Sequence, residues 1–296
     1  MLRNLIDLLI LAALWGGSFL FLRIAVPEFG PLPLVELRVA VGGLFLLPAL
    51  WLRYGVVELR GNAREIFILS IIHSAIPFSL LAYSTLSLTA GFTSILNSTS
   101  PLFAAIVGWL WLKDRLGGTR VVGLFLGFAG VIVLLWDKAA FNAGGSDMAV
   151  AAALTAALFY GIGANYSNQR LRAVRTLVVA TGSQISAAVF LLPFAFWAMP
   201  STLPTVGAWI AAAALGILCT GLAYPLYFRL IGSLGATGAI AVTFLIPVFG
   251  MLWGWLFLNE PITSHMLVAT TIILFGTALT TGLVKLAPQR RPARQP

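Results

Sequence analysis

The sequence repeats itself at a spacing of 146 residues: Pro101 has a counterpart at Pro247, Asp114 at Glu260 and Gly130 at Gly276. These pairs lie in or beside long apolar runs such as 121–136 and 266–284. Runs close to about twenty residues cross ~30 Å of hydrocarbon as helix. The alternating pattern of a membrane β-barrel is absent. The expected fold class is therefore an all-α polytopic membrane protein, built twice over.

Composition agrees. The chain is 60% hydrophobic and 9% charged, whereas a soluble domain carries roughly a quarter charged residues. A net charge of +9 is read as loop charge that sets orientation, and nucleic acid is excluded as a partner because no basic patch is formed. The single cysteine, Cys219, rules out an internal disulfide and offers no metal cluster; its role is packing. No metal or cofactor is expected. The first apolar segment follows Arg3, as a signal peptide would. Asp7 interrupts it, no small-x-small cleavage site follows, and a counterpart lies near Tyr160, so it reads as a span.

Breaks at Gly, Pro and charge clusters give ten spans at 5–25, 33–53, 64–86, 91–112, 119–136, 147–168, 176–198, 205–228, 236–258 and 264–285. With the N-terminus cytoplasmic, fifteen of the eighteen Lys and Arg face the cytoplasm: Arg3, Arg53, Arg60, Arg64, Lys113, Arg115, Arg120, Arg170, Arg172, Arg175, Arg229, Lys285, Arg290, Arg291 and Arg294. Arg23 and Lys138 face the other side, and Arg38 lies within the second span. The bias places both termini inside and supports the count, since one missed helix would invert every later loop.

The repeats are set at 1–143 and 144–296, the second ending in a short basic tail. The fourth and ninth spans both begin small-rich, carry Pro101 or Pro247, and end in an acidic residue. Trp15-Gly16 matches Tyr160-Gly161, and Pro48 matches Pro193. Five spans per half is odd, so the second half runs upside down, leaving two inverted five-helix repeats around a central cavity, an architecture common among secondary transporters. Gly123, Gly127 and Gly130 share one helical face, which reads as a helix-packing surface.

Trp15-Gly16-Gly17-Ser18, Arg38 in the second span, and the segments 101–115 and 247–261 together resemble the EamA-type branch of the drug/metabolite transporter superfamily, over nearly the whole chain. That resemblance implies ten helices and export of metabolites, often amino acids, from a bacterial cytoplasm across the inner membrane. Within the branch the chain is most similar to aromatic-amino-acid exporters.

Polar side chains at membrane depth are costly unless paired or facing a cavity, which makes them candidate binding residues. Asn97 lies one turn from both Thr93 and Pro101, and Pro101 frees a carbonyl near Asn97. The neighbouring hydroxyls read as structural. His73 is a candidate for binding a carboxylate or titrating. Asn165 and Gln184 are the polar intrusions of the second half, and Thr243 holds the place of Asn97 there. Trp15, Phe78, Tyr83, Tyr160 and Tyr224 are candidate aromatic walls. Pro101, Pro247 and Arg38 are assigned structural or gating roles. Arg38 is expected to snorkel outward or to pair with Glu36 or another helix, with carboxylate binding through its guanidinium fork as the alternative.

No Asp or Glu falls at mid-span depth, which argues against cationic-drug/proton exchange and leaves facilitated and proton-linked export open. The first reading is an alternating-access exporter of amino acids or similar small metabolites, with a small-molecule substrate and the lipid bilayer as partners; monomer and homodimer both stay open. A drug or nucleoside exporter is a second reading. An intramembrane enzyme is a third, but no nucleophile–base or metal motif supports it, and the chain is expected not to be an enzyme.

Overall fold

A computed structural model describes residues 2–114, 116–136, 147–239 and 241–284. Arg115, Asp137, Lys138, Lys285, Arg290, Arg291, Arg294 and the expected boundary between residues 143 and 144 lie outside the described residues. Among the described residues the regular structure is helical; nine helices are long and apolar enough to cross a membrane, and a tenth, Val242–Leu258, is apolar but shorter at 17 residues. They are α1 (Leu2–Phe29), α2 (Pro31–Tyr54), α3 (Ala63–Ser84), α4 (Ala90–Leu112), α5 (Gly118–Leu135), α6 (Asp147–Arg170), α7 (Thr176–Trp197), α8 (Val206–Gly235), α9 (Val242–Leu258) and α10 (Ser264–Thr281). A short helix, Val57–Gly61, links α2 to α3.

Local chemistry sets the ends. Thr89, Thr205 and Thr263 accept the N–H groups of Phe92, Ala208 and Met266, capping α4, α8 and α10. Pro31 opens α2, where a missing N–H costs nothing. α4 and α9 close on Lys113 and Asn259, whose φ values of 57° and 53° are the two positive ones among described non-glycine residues. Each lets the next N–H fold back: Asp114 donates to Gly108 at 3.3 Å and Glu260 to Gly254 at 3.1 Å. The two stops are 146 residues apart.

The span count holds, with corrections inside the spans. α3 and α8 each contain a π-helical segment, Ile71–Ala75 and Ile217–Leu222, again 146 residues apart at their starts. α4 is broken at Ser98–Thr99 into Ala90–Asn97 and Ser100–Leu112, with Pro101 in the first turn of the second piece. The eighth span does not stop at residue 228 but runs to Gly235, where φ is 74° and the chain turns. The ninth then begins as a regular helix at Val242 rather than 236, and α10 stops at Gly282 with φ 78°.

Long-range polar ties check the alternation of the spans. Asp7 pairs with Arg229, and Glu58 with Arg175 at 3.0 Å. At the other end Glu28 accepts the N–H and hydroxyl of Thr205, and Glu260 meets Arg23. Each tie joins residues that the alternating spans place at the same end of the bundle; one span more or fewer between two partners would put them at opposite ends.

Glycine allows the close crossings. A methyl group at Gly16 of α1 would lie 2.6 Å from Phe249 Cβ of α9; one at Gly161 of α6 would lie 2.7 Å from the Ala104 nitrogen of α4. Phe249 and Gly250 are the repeat counterparts of Phe103 and Ala104, so the two crossings are the same contact made reciprocally. Gly123 and Gly130 of α5 press against Gly276 and Ile273 of α10, so the small-residue face packs helices, as its spacing suggested.

Candidate functional site

Mid-bundle polar residues converge from α2, α3, α7 and α8. Arg38 Nε donates to Thr220 Oγ1 at 3.3 Å, and Gln184 Nε2 donates to Ser74 Oγ at 3.3 Å. Arg38 and Gln184 are 146 residues apart, and so are Ser74 and Thr220. The two bonds are one bond made twice, once by each half. Each hydroxyl sits in a π-helical segment, where the extra residue per turn leaves a carbonyl without its usual partner. Thr220 Oγ1 fills that gap by donating to Leu215 O at 3.0 Å.

The environments repeat as well. Phe78 lies under the Arg38 guanidinium at 3.9 Å, a cation–π contact. Its counterpart Tyr224 places its hydroxyl 3.4 Å from Gln184 Nε2. Tyr160 meets His73 edge-on at 5.1 Å and Phe78 at 6.3 Å. Beyond Tyr224 the aromatic wall continues through Phe228 and Tyr227 to Trp15, 5.2 Å from Tyr227. Trp15, His73, Tyr160 and Tyr224 keep partial exposure while facing other helices.

The structure thus gathers His73, Trp15, Phe78, Tyr160, Gln184, Tyr224 and Arg38 into one contiguous set. Arg38 does not snorkel and does not pair with Glu36. It is 6% exposed and points into the bundle, because its helix face is fixed by Gly42, one turn on, packing against Thr220. Gln184 is fully buried, with Oε1 left without a hydrogen-bond partner.

The other expected residues make none of these contacts, and of them Asn97 stays a binding candidate through its unpartnered side-chain oxygen. Asn97 ends the first piece of α4, and its buried Oδ1 has no partner. The carbonyl that Pro101 frees is not open to a ligand, because Ser100 Oγ donates to Asn97 O at 2.6 Å. Thr93, Ser94, Ser98 and Thr99 likewise bond back to carbonyls of α4, which is the structural role read for them. Asn165 Nδ2 ties α6 to α4, donating to Ala104 O and Gly161 O at 2.9 Å. Tyr83 is 41% exposed and lines an apolar groove with Pro31, Pro33, Leu80 and Ala198, apart from the central set. Thr243 is half-buried in the first turn of α9, and Pro247 is buried one turn later.

Ser74, Thr220 and Tyr227 went unread in the sequence. A systematic use of the 146-residue offset would have found the first two, since Arg38/Gln184 and Ser74/Thr220 both obey it.

A second polar cluster closes the bundle end opposite the N-terminus. Glu260 accepts Arg23 Nε at 3.2 Å and the Ala90 N–H at 2.8 Å, while Arg23 Nη1 donates to Thr85 O at 2.6 Å. Burial raises the Glu260 carboxyl above its ordinary 4.5; the Ala90 N–H and the Arg23 charge offset part of that rise.

A bundle of ten apolar helices with a polar, aromatic centre drawn from both halves defines a multi-pass membrane transporter. The EamA-like transporter family model matches residues 4–136 and again 147–282, and the chain belongs to that family. Relatives span nine-tenths or more of its length. A Bacillus subtilis (strain 168) protein named "Uncharacterized transporter YvbV" is 26% identical over 94% of this chain and 91% of its own. Protein PagO of Salmonella typhimurium (strain LT2) is 22% identical over 90% of this chain and 88% of its own. A solved crystal structure superposes with a TM-score of 0.66 at 21% identity, covering 95% of this chain and 97% of that one, which supports the fold.

Proposed function

We propose that the protein exports amino acids or similar small metabolites, with aromatic or other apolar side chains favoured, by alternating access. It would sit in the bacterial cytoplasmic membrane with both termini inside. The observation that carries this reading is the central set itself. Donors and acceptors at Arg38, His73 and Gln184 are ringed by Trp15, Phe78, Tyr160 and Tyr224 in the middle of an apolar bundle, where such groups are costly unless they serve a solute. Both halves contribute equivalent residues, so small relative motions of the halves would expose the set to one face or the other. The excess of Lys and Arg in the loops at the N-terminal end supports the orientation. No carboxylate stands beside the central set among the described residues, which favours downhill export over exchange for protons.

Uptake and efflux in proteoliposomes, with a panel of amino acids and with or without a pH gradient, tests this. Saturable movement of one or more amino acids is expected. Solute-independent ion current, with no transport of any metabolite, would replace the reading with a channel.

A further inference from the structure

Arg38 is the unusual group. It is 6% exposed, deep in the bundle, and permanently charged. Of its five N–H donors one makes a protein hydrogen bond among the described residues, to the neutral Thr220 hydroxyl. The ion pairs of the described residues are Arg23–Glu260, Arg175–Glu58 and Arg229–Asp7, none of which involves it. Phe78 supports its face, leaving the fork edge for something else. Buried charges are normally paired, because the desolvation cost otherwise goes uncompensated.

The repeat sharpens the point. The equivalent position in the other half carries Gln184, which makes the equivalent hydroxyl bond without any charge. The scaffold therefore does not need a cation at that place to hold α2 against α8. The positive charge is an addition to the fold, and it breaks the symmetry of the centre. Around it stand Thr220 and Phe78, with Tyr160 beyond Phe78, and none of these is an acid.

We propose that Arg38 is the anchor for an anionic group of the substrate, a carboxylate held by the guanidinium fork, and so determines that this transporter selects acids over their neutral or cationic analogues. This rests on the transporter reading above but not on the amino-acid part of it. A carboxylate matches the fork with two parallel charge-assisted bonds, and its arrival neutralises the charge the bundle leaves uncompensated.

The test is binding to the purified full-length protein with matched probes: phenylalanine, phenylalaninamide, phenethylamine and 3-phenylpropionate. The expected result is that wild type binds acids well ahead of the amide and amine. Arg38→Gln should weaken acid binding by about 30-fold or more, the scale for truncating one partner of a buried charge pair, while leaving the weak amide binding nearly unchanged. Arg38→Lys should retain part of the preference. Asn165→Ala, which removes a tie between α6 and α4 outside the central set without touching charge, should leave the acid-to-amide ratio intact and so controls for loss of packing. If Arg38→Gln does not fold, the wild-type ratio and Arg38→Lys still decide the matter. Equal wild-type affinity for acid and amide, equal losses for both in Arg38→Gln, or no binding of any carboxylate would each overturn the proposal. Binding of 3-phenylpropionate without phenylalanine would keep it and remove the amino-acid reading instead.

Discussion

Glu260 accepts the backbone N–H of Ala90 at 2.8 Å across 170 residues of sequence, and through that bond the loop after α9 caps the start of α4. Arg23 of α1 holds the same carboxylate and reaches on to Thr85 O. Three elements are fastened at one end of the bundle by one acidic side chain.

Removing that side chain should loosen this end. Glu260→Ala leaves the Ala90 N–H uncapped and Arg23 without its carboxylate. Loss of a cap costs about 1 kcal/mol, roughly a fivefold change in population. In a Cys219→Ala background, a Thr85→Cys reporter should react faster with a membrane-impermeant maleimide when Glu260 is alanine. Unchanged labelling would show that other contacts hold the end shut.

Acidity should tighten the same fastening. The carboxyl is raised in the buried state, and it would return toward 4.5 once exposed. The buried state therefore binds the proton more readily, and by linkage it gains population as pH falls through the raised value, with no further gain below 4.5. Labelling of the Thr85→Cys reporter should slow on acidification, and Glu260→Gln should remove the dependence. Faster labelling at low pH would reverse the sign and point to the Arg23 ion pair as the dominant contribution.

Stability should track the crossing glycines. At Gly161 the neighbours of an added methyl group are the backbone atoms of Phe103 and Ala104, at 2.7–2.8 Å. Backbone cannot swing away, so Gly161→Ala should cost about 1–3 kcal/mol, read as a lower melting temperature in detergent. Gly61 has nothing within 4 Å, and Gly61→Ala should leave the melting temperature unchanged.

Asn97 and Asn165 should separate binding from packing. Asn165 satisfies two carbonyls and joins α6 to α4, so Asn165→Ala should lower stability by about 1–3 kcal/mol through the carbonyls it strands. Asn97 Oδ1 has no protein partner to lose. Asn97→Ala should keep the melting temperature and weaken substrate binding. The opposite pattern would remove Asn97 from the site.

The spans and their number were legible because hydropathy and loop charge are properties of composition along the chain. The repeat was legible at its prolines, acids and glycines. Three things were not. A π segment leaves no mark in hydropathy, so Ile71–Ala75 and Ile217–Leu222 read as ordinary helix. The break in α4 was masked because Ser98 and Thr99 bond back to their own helix and conceal the lost backbone bonds. Rotation was the third. A helix apolar nearly all round gives no clue to which face is inward, so the sequence leaves Arg38 open between snorkelling outward and meeting another helix and sets Tyr83 inward; the structure turns Arg38 into the bundle and leaves Tyr83 41% exposed.

The reciprocal glycine crossings bear on biosynthesis. α1 packs on α9, and α6 packs on α4, so each half surrenders its leading helix to the other. During insertion α1 enters the bilayer more than two hundred residues ahead of the helix that will cover Gly16. The nascent first half cannot complete itself; its leading helix must be held by lipid or by the insertion machinery until the second half arrives. Quality control in the cell would therefore meet a half-assembled species in which a defect at Gly16 is silent, and the defect would show only when α9 arrives to make the crossing.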